Sequence, residues 1–240
     1  MPECTFTAIT PAAAGAAKMR LVGRLIVIEG LDGAGKRTLA DGLAAGLGRR
    51  GASVAGLAFP RYEADIHGEL VRDALYGRLG DLGASVHGMA LLFALDRRAA
   101  AAQLLDALRE HDVVLVDRYV ASNAAYGAAR LHQHADGEFV AWVRELEIER
   151  FALPVPDHHL LLEVPRAIAA ERAARRERTE AGRERDAFES DGGLQERTSA
   201  VYAELADASW LSPWTVLDGS AGLDGSAALD VDDLAAHLLG

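Results

Sequence analysis

The sequence predicts a three-layer α/β domain around a central parallel sheet, and three observations carry that prediction. Short apolar runs of strand length alternate with helix-length patterns along most of the chain. The leading runs are apolar at nearly every position, as strands covered on both faces require. The first of them, Leu25 to Glu29, ends in a glycine-rich turn that opens a helix. At 240 residues and 50% apolar composition, the chain suffices for one sizeable domain and is short for two independent cores.

Residues 1–20 read as a disordered extension, and 21–240 as a single domain. The extension is alanine-rich, but Glu3 precedes Lys18, the reverse of the charge order in a secretory signal; Met19 is an alternative initiator. After the first strand a helix runs from Lys36 to Arg50 and stops at Gly51, followed by a strand from Ser53 to Ala58. Helical patterns cover Ile66 to Tyr76 and Ala84 to Glu110, and Val113 to Val116 is the clearest further core strand. Helices starting near Ala121 and Gly137 lead to Pro154 and Pro156, which close that region before a strand from His159 to Val164. Pro165 suits the first turn of the next helix. The stretch Arg172 to Arg185 carries charge of both signs and little apolar periodicity, so an exposed helix running into a mobile loop is expected there. A helix from about Phe188 to Ala206, a strand from Thr215 to Leu217 and a helix from Asp230 complete the alternation.

The net charge of -11 opposes binding to a nucleic acid backbone or an anionic membrane. Any phosphate must therefore meet a local cluster of positive groups, and a small ligand is favoured over a polymer. No apolar run approaches the roughly 20 residues that span a bilayer. Cys4 is the only cysteine, which excludes an internal disulfide and accords with a cytoplasmic protein.

The segment GLDGAGKRT from Gly30 to Thr38 fits the phosphate-binding pattern G-x-x-x-x-G-K, between a strand and a helix as that pattern demands. Gly30, Gly33, Ala34 and Gly35 let backbone amides curl round an anion, the helix start adds partial positive charge, and Lys36 supplies a point charge for the β and γ phosphates. Arg37 stands where a serine or threonine normally meets Mg²⁺; Thr38 would serve only in a shifted register. Asp32, Asp117 and Glu189 are the available carboxylates for the metal.

A GTPase would need N-K-x-D for guanine, yet the only asparagine, Asn123, precedes alanine. A kinase acting on a small phosphorylated acceptor remains, and it needs positive groups from several segments. Asp117-Arg118-Tyr119 emerges from the end of a core strand, where open α/β folds bind ligands, so Arg118 can clamp an acceptor phosphate. Phe93 and Arg97 share a helix face and can offer a stacking ring and a donor to a base, with the Asn123 amide as a second reader.

Residues Leu25 to about Leu205 resemble the thymidylate kinase family, above all its mycobacterial and actinobacterial members. The resemblance is carried by GLDGAGKRT, by FPRY from Phe59 to Tyr62, by LFALDR ending at Arg97, by DRYVASNAAY from Asp117 to Tyr126, and by the arginine-rich lid ending RDAFE at Glu189. It implies a P-loop nucleoside monophosphate kinase fold, ATP as donor, dTMP as acceptor, Mg²⁺ and a homodimer, to which the apolar stretch Met89 to Leu95 could contribute. Phe93 would stack on thymine, Arg97 would reach O4 and Asn123 N3, with Ser122 beside them. Tyr126 would lie where a 2′-hydroxyl projects, and Phe59, Pro60 and Tyr62 would wall the acceptor. Asp32 would lie near the 3′-hydroxyl and, with Glu189, near the metal. A lid at about 172–186 would bring Arg172, Arg176 and Arg183 to ATP, with Arg176 joining Lys36, Asp32 and Arg118 in catalysis, and Asp186 on the acceptor side. Human-like members place an arginine in the P-loop where this chain has Gly33, and Phe188 stands where tyrosine is frequent. The alternatives are another monophosphate kinase or a catalytically silent nucleotide-binding protein.

Overall fold

The computed structural model describes residues 23–62, 64–165, 167–169, 171–172, 188, 192–220 and 231–239. Five strands, β1 (Arg24–Glu29), β2 (Val54–Ala58), β3 (Val113–Asp117), β4 (His158–Glu163) and β5 (Trp214–Asp218), form one parallel sheet in the order β2-β3-β1-β4-β5. The apolar runs end up central because both of their faces are covered. Ile26, Ile28, Val113, Leu115, Leu160 and Leu162 point to one side, where they meet Leu39, Leu43 and Leu47 of α1 (Lys36–Arg49) and Ala235 and Leu238 of α8 (Val231–Leu239). Leu25, Val27, Val114, Val116 and Leu161 point to the other. That side is covered by α4 (Ala101–Glu110), α5 (Val120–Arg130), α6 (Glu138–Arg144) and α7 (Gly192–Asp207).

Pairing register places the site. Ile28 of β1 lies opposite Asp117 of β3, so the loops that follow these two strands leave the carboxyl edge of the sheet side by side. A third cluster joins α2 (Ile66–Leu75) to α3 (Val86–Ala99) through Val71, Ala74, Leu75 and Met89, and holds α3 over that edge.

The helical pattern from Ala84 to Glu110 is not one helix. A 3₁₀ turn covers Gly80–Ala84, and α3 starts afresh because the Ser85 hydroxyl accepts from the amide of Gly88 at 3.0 Å. At Ala100 the amide is shared between the carbonyls of Asp96 and Arg97, both at 3.1 Å, which tightens the turn and redirects the chain into α4. Periodicity is blind to this break because the apolar spacing continues through it. Beyond α6 the chain passes into a π-helical turn, Glu145–Arg150, which the sequence reading did not foresee. Pro165 opens the next helix as expected, its carbonyl accepting from the amides of Ile168 and Ala169 at 2.9 and 3.1 Å. Among the described residues, no helix is long and apolar enough to cross a membrane. The lid residues Arg176, Arg183, Arg185, Asp186 and Glu189 lie outside the described residues, as does the N-terminal extension.

Candidate active site

The loop after β1 is shaped by backbone conformations open to glycine. Gly30, Gly33 and Gly35 have φ of 145°, 82° and 102°. At Gly33 a Cβ would stand 2.2 Å from the carbonyl oxygen of Ala169, so the base of the lid packs directly on the loop backbone. That contact explains why this chain carries no arginine there: no side chain fits. Gly35 precedes α1 with no side-chain cap, leaving first-turn amides for an anion.

Lys36 is buried under the loop, its Nζ donating to the carbonyls of Gly30 at 3.1 Å and Leu31 at 2.8 Å. Burial, reinforced by the nearby Arg118 charge, pulls its pKa from 10.5 to about 8 against the opposing pull of Asp117, Asp32 and Glu29. Arg37 and Thr38 are solvent-exposed at the start of α1. Arg172 bonds through its guanidinium to the carbonyls of Ala34 and Gly219 at 3.3 Å, so this one lid-base arginine does reach the loop.

Beside the loop opens a cleft that is partly open to solvent. Asp32, Phe59, Pro60, Tyr62, Phe93, Arg97, Arg118, Ser122, Asn123 and Tyr126 all line it. The sequence reading gathered these residues from four separate segments, and the fold brings them to one cleft.

The end of the cleft nearest the loop is charged. Arg118 has φ of 65°, unusual for a residue with a side chain, and that backbone turn aims its guanidinium back at Asp32, at 2.5 Å. The same guanidinium donates to the Ser122 hydroxyl at 3.2 Å and lies over the Tyr126 ring, 5.3 Å from its centre. Tyr126 donates to Asp32 at 2.7 Å and Gln195 does so at 3.3 Å. Burial alone would raise the Asp32 pKa, but Arg118 and then Lys36 outweigh it and hold the carboxyl well below the usual range. It is an anion at every working pH.

Beneath this end lies Glu29, fully buried at the end of β1. It accepts from the amides of Tyr119 and Ser122 at 2.9 and 3.2 Å, and from the hydroxyls of Ser122 and Tyr202 at 2.5 and 2.8 Å. The carboxylate thus caps the start of α5 and holds Ser122, whose hydroxyl is engaged here and toward Arg118 and reaches the ligand space mainly through Arg118. Asp117 has a buried oxygen, Oδ1, with no hydrogen-bond partner among the described residues.

The far end is lined by Phe93, Arg97 and Asn123. Phe93 lies half-buried on α3, and Arg97, one turn on, is 2% exposed, so it is not a surface charge. Its Nε and Nη2 donate to the two oxygens of Glu147 at 2.6 and 2.8 Å. Burial opposes the Arg97 charge, but the Glu147 carboxylate more than offsets it and raises the pKa. Asn123 donates through Nδ2 to Ala90 O at 2.9 Å and to Glu147 at 2.8 Å. Tyr126 stacks on Phe188, ring centres 6.0 Å apart, and Arg130 lies over the other ring at 4.8 Å.

Glu147, Gln195, Glu29 and Arg130 escaped the sequence reading. Glu147 sits in a charged helical segment with no local signal of burial, and Gln195 has none either. Glu29 had one: a carboxylate closing a buried apolar strand. The stretch Met89 to Leu95 splits, Met89, Ala90 and Ala94 entering the core and Leu91 remaining exposed, so much of it serves the chain's own packing.

The comparisons with known proteins agree with one another. The family model for thymidylate kinase matches residues 28–218. The thymidylate kinases of two Mycobacterium tuberculosis strains are 51% identical over 193 residues, 80% of this chain and 90% of theirs. The human thymidylate kinase is 31% identical over 202 residues, 84% of this chain and 85% of its own. A solved thymidylate kinase from Candida albicans has the same fold at a TM-score of 0.62 and 23% identity, covering 90% of this chain and 89% of the other.

Proposed function

The chain belongs to the thymidylate kinase family, whose reaction is phosphoryl transfer from ATP to dTMP, and from that premise we propose how its own residues carry the reaction. An oxygen of the dTMP phosphate attacks the γ-phosphorus of ATP, the bond to the β,γ-bridging oxygen breaks, and dTDP and ADP leave. The observation that carries the assignment of roles is the single cleft that joins the Arg118–Asp32 pair beside the P-loop to Phe93, Arg97 and Asn123.

The P-loop amides and Lys36 hold the donor phosphates, with Arg172 poised at the loop from the lid base. Arg118, aimed by its backbone and by Asp32, takes the acceptor phosphate and offsets the repulsion between two anions. Phe93 stacks on the thymine. Arg97 donates to its C4 carbonyl and Asn123 reads N3. Tyr126, fixed against Asp32 and Phe188, closes the sugar side and favours the deoxy form, while Phe59, Pro60 and Tyr62 wall the opposite side. From the lid, Arg176 and Arg183 add charge at ATP, Asp186 serves the acceptor side, and closure excludes water.

Mg²⁺ suits the residues present. Such an ion is usually bound by one or two carboxylates together with phosphate oxygens and water. The unpartnered oxygen of Asp117 supports that residue first; Asp32 has both oxygens in protein contacts, and Glu189 would come from the lid. When bound, the ion supplies charge neutralisation at the phosphates. A cytoplasmic homodimer completes the proposal; exposed Leu91 supports the α3 face as part of its contact.

A panel of nucleoside monophosphates with ATP tests the acceptor. The expected result is kcat/KM highest for dTMP; faster turnover of dCMP or dGMP would overturn the base assignment.

A further inference from the structure

Arg97 and Asn123 stand on different helices, and both are held by a carboxylate that neither helix supplies. Glu147 belongs to the π-helical turn after α6 and is fully buried, while its neighbours Glu145, Glu149 and Arg150 are exposed. The wider turn admits one acidic side chain of a charged segment into the interior. One of its oxygens, Oε1, accepts from Arg97 Nη2 and from Asn123 Nδ2, both at 2.8 Å; the other accepts from Arg97 Nε at 2.6 Å.

An amide carries two donor hydrogens and one acceptor oxygen. Both Nδ2 hydrogens of Asn123 go to groups that can only accept, the Glu147 carboxylate and the carbonyl of Ala90 at 2.9 Å. Turning the amide over would set its oxygen against both and lose two hydrogen bonds. What Asn123 keeps for a ligand is therefore an acceptor, Oδ1. What Arg97 keeps is a donor, Nη1, its Nε and Nη2 being tied to the carboxylate.

We propose that Glu147 is a positioning residue for base selection: it locks Asn123 as an acceptor and Arg97 as a donor, so that the cleft takes a pyrimidine with a protonated N3 and a C4 carbonyl. Thymine and uracil present that face; cytosine, with an unprotonated N3 and a C4 amino group, presents the opposite. The inference rests on the roles given above to Arg97 and Asn123 and adds the group that fixes their polarity.

The test is Glu147→Gln, which preserves size but sets an amide donor against donors of Arg97 or Asn123, so that the two side chains are no longer held as before. Steady-state kinetics on the full chain with dTMP, dUMP and dCMP give the selectivity ratios, with a thermal melt confirming folded protein. The ratio of kcat/KM for dTMP over dCMP is expected to fall by about tenfold, the effect of one misdirected hydrogen bond, with the loss in dTMP carried by KM rather than kcat. The dTMP to dUMP ratio stays put, because the two bases share the N3 and C4 pattern. In an Asn123→Ala background the second substitution is expected to lower the dCMP ratio by less than it does alone, only the part carried by Arg97 remaining. A folded Glu147→Gln enzyme with unchanged selectivity overturns the proposal, and so does an additive effect in the double variant. If the glutamine variant does not fold, Glu147→Asp, which retains the charge but withdraws it by one methylene, decides by the same ratio. A wild-type enzyme indifferent to dTMP and dCMP would instead overturn the base reading itself.

Discussion

Lys36→Met should make the ligand-free protein more stable while abolishing phosphoryl transfer. The lysine is 7% exposed, and burial first, then Arg118, draws its pKa from 10.5 to about 8. At about 1.4 kcal/mol per pH unit, holding the ammonium in that place costs about 3 kcal/mol relative to a neutral side chain. Methionine retains the apolar stem but loses the hydrogen bonds to the carbonyls of Gly30 and Leu31, worth about 1 kcal/mol each. The balance is a gain of about 1 kcal/mol, or roughly 2–4 °C in Tm for a chain of this length. The advantage depends on pH with a definite sign. Below about 8 the lysine is protonated both folded and unfolded, and wild type bears the full cost. Between about 8 and 10.5 the folded protein sheds the proton while the unfolded chain retains it, so wild type gains on the variant as pH rises. Differential scanning fluorimetry from pH 7 to 10 measures this directly. ATP should reverse the order, because the donor phosphates stabilise the charged lysine and raise the melting temperature of wild type more than that of the variant. A variant that melts below wild type at pH 7, or a gap that widens with pH, would refute the reasoning.

Two further outcomes follow from contacts at the same loop. Gly33→Ala places a Cβ 2.2 Å from Ala169 O at a φ of 82°, so it should lower stability by about 1–2 kcal/mol from the backbone alone, seen as a lower melting temperature, and raise KM for ATP as the lid base is pushed off. Asp117→Asn should shift the Mg²⁺ concentration for half-maximal activity upward by about 10- to 100-fold with little change in dTMP affinity by calorimetry; an unmoved Mg²⁺ dependence would assign the metal elsewhere.

Local pattern made most of the fold legible. Leu25 to Glu29 and Val113 to Val116 read as core strands because each is apolar on both faces, and the glycines around Lys36 read as an anion loop because no other residue adopts those backbone angles so readily. Where the local signal continued through a change of direction, as at Ala100, the helix break was hidden, because a shared amide leaves no mark on apolar spacing. The bond between Lys36 and the loop carbonyls was likewise invisible, since it depends on how the loop folds back.

The amino-acid sequence by itself determined which chemistries are available: a phosphate loop with one lysine, a strand-end Asp117-Arg118 pair, and a ring, a donor and an amide in two helical segments. Only the tertiary structure decided their polarity. Glu147 lies 24 residues from Asn123 and 50 from Arg97, and Gln195 reaches Asp32 across 163 residues of chain. Hydrogen-bonding residue types are written in the sequence, but which hydrogens are already taken is a property of neighbours in space, and that is what leaves Asn123 an acceptor and Arg97 a donor.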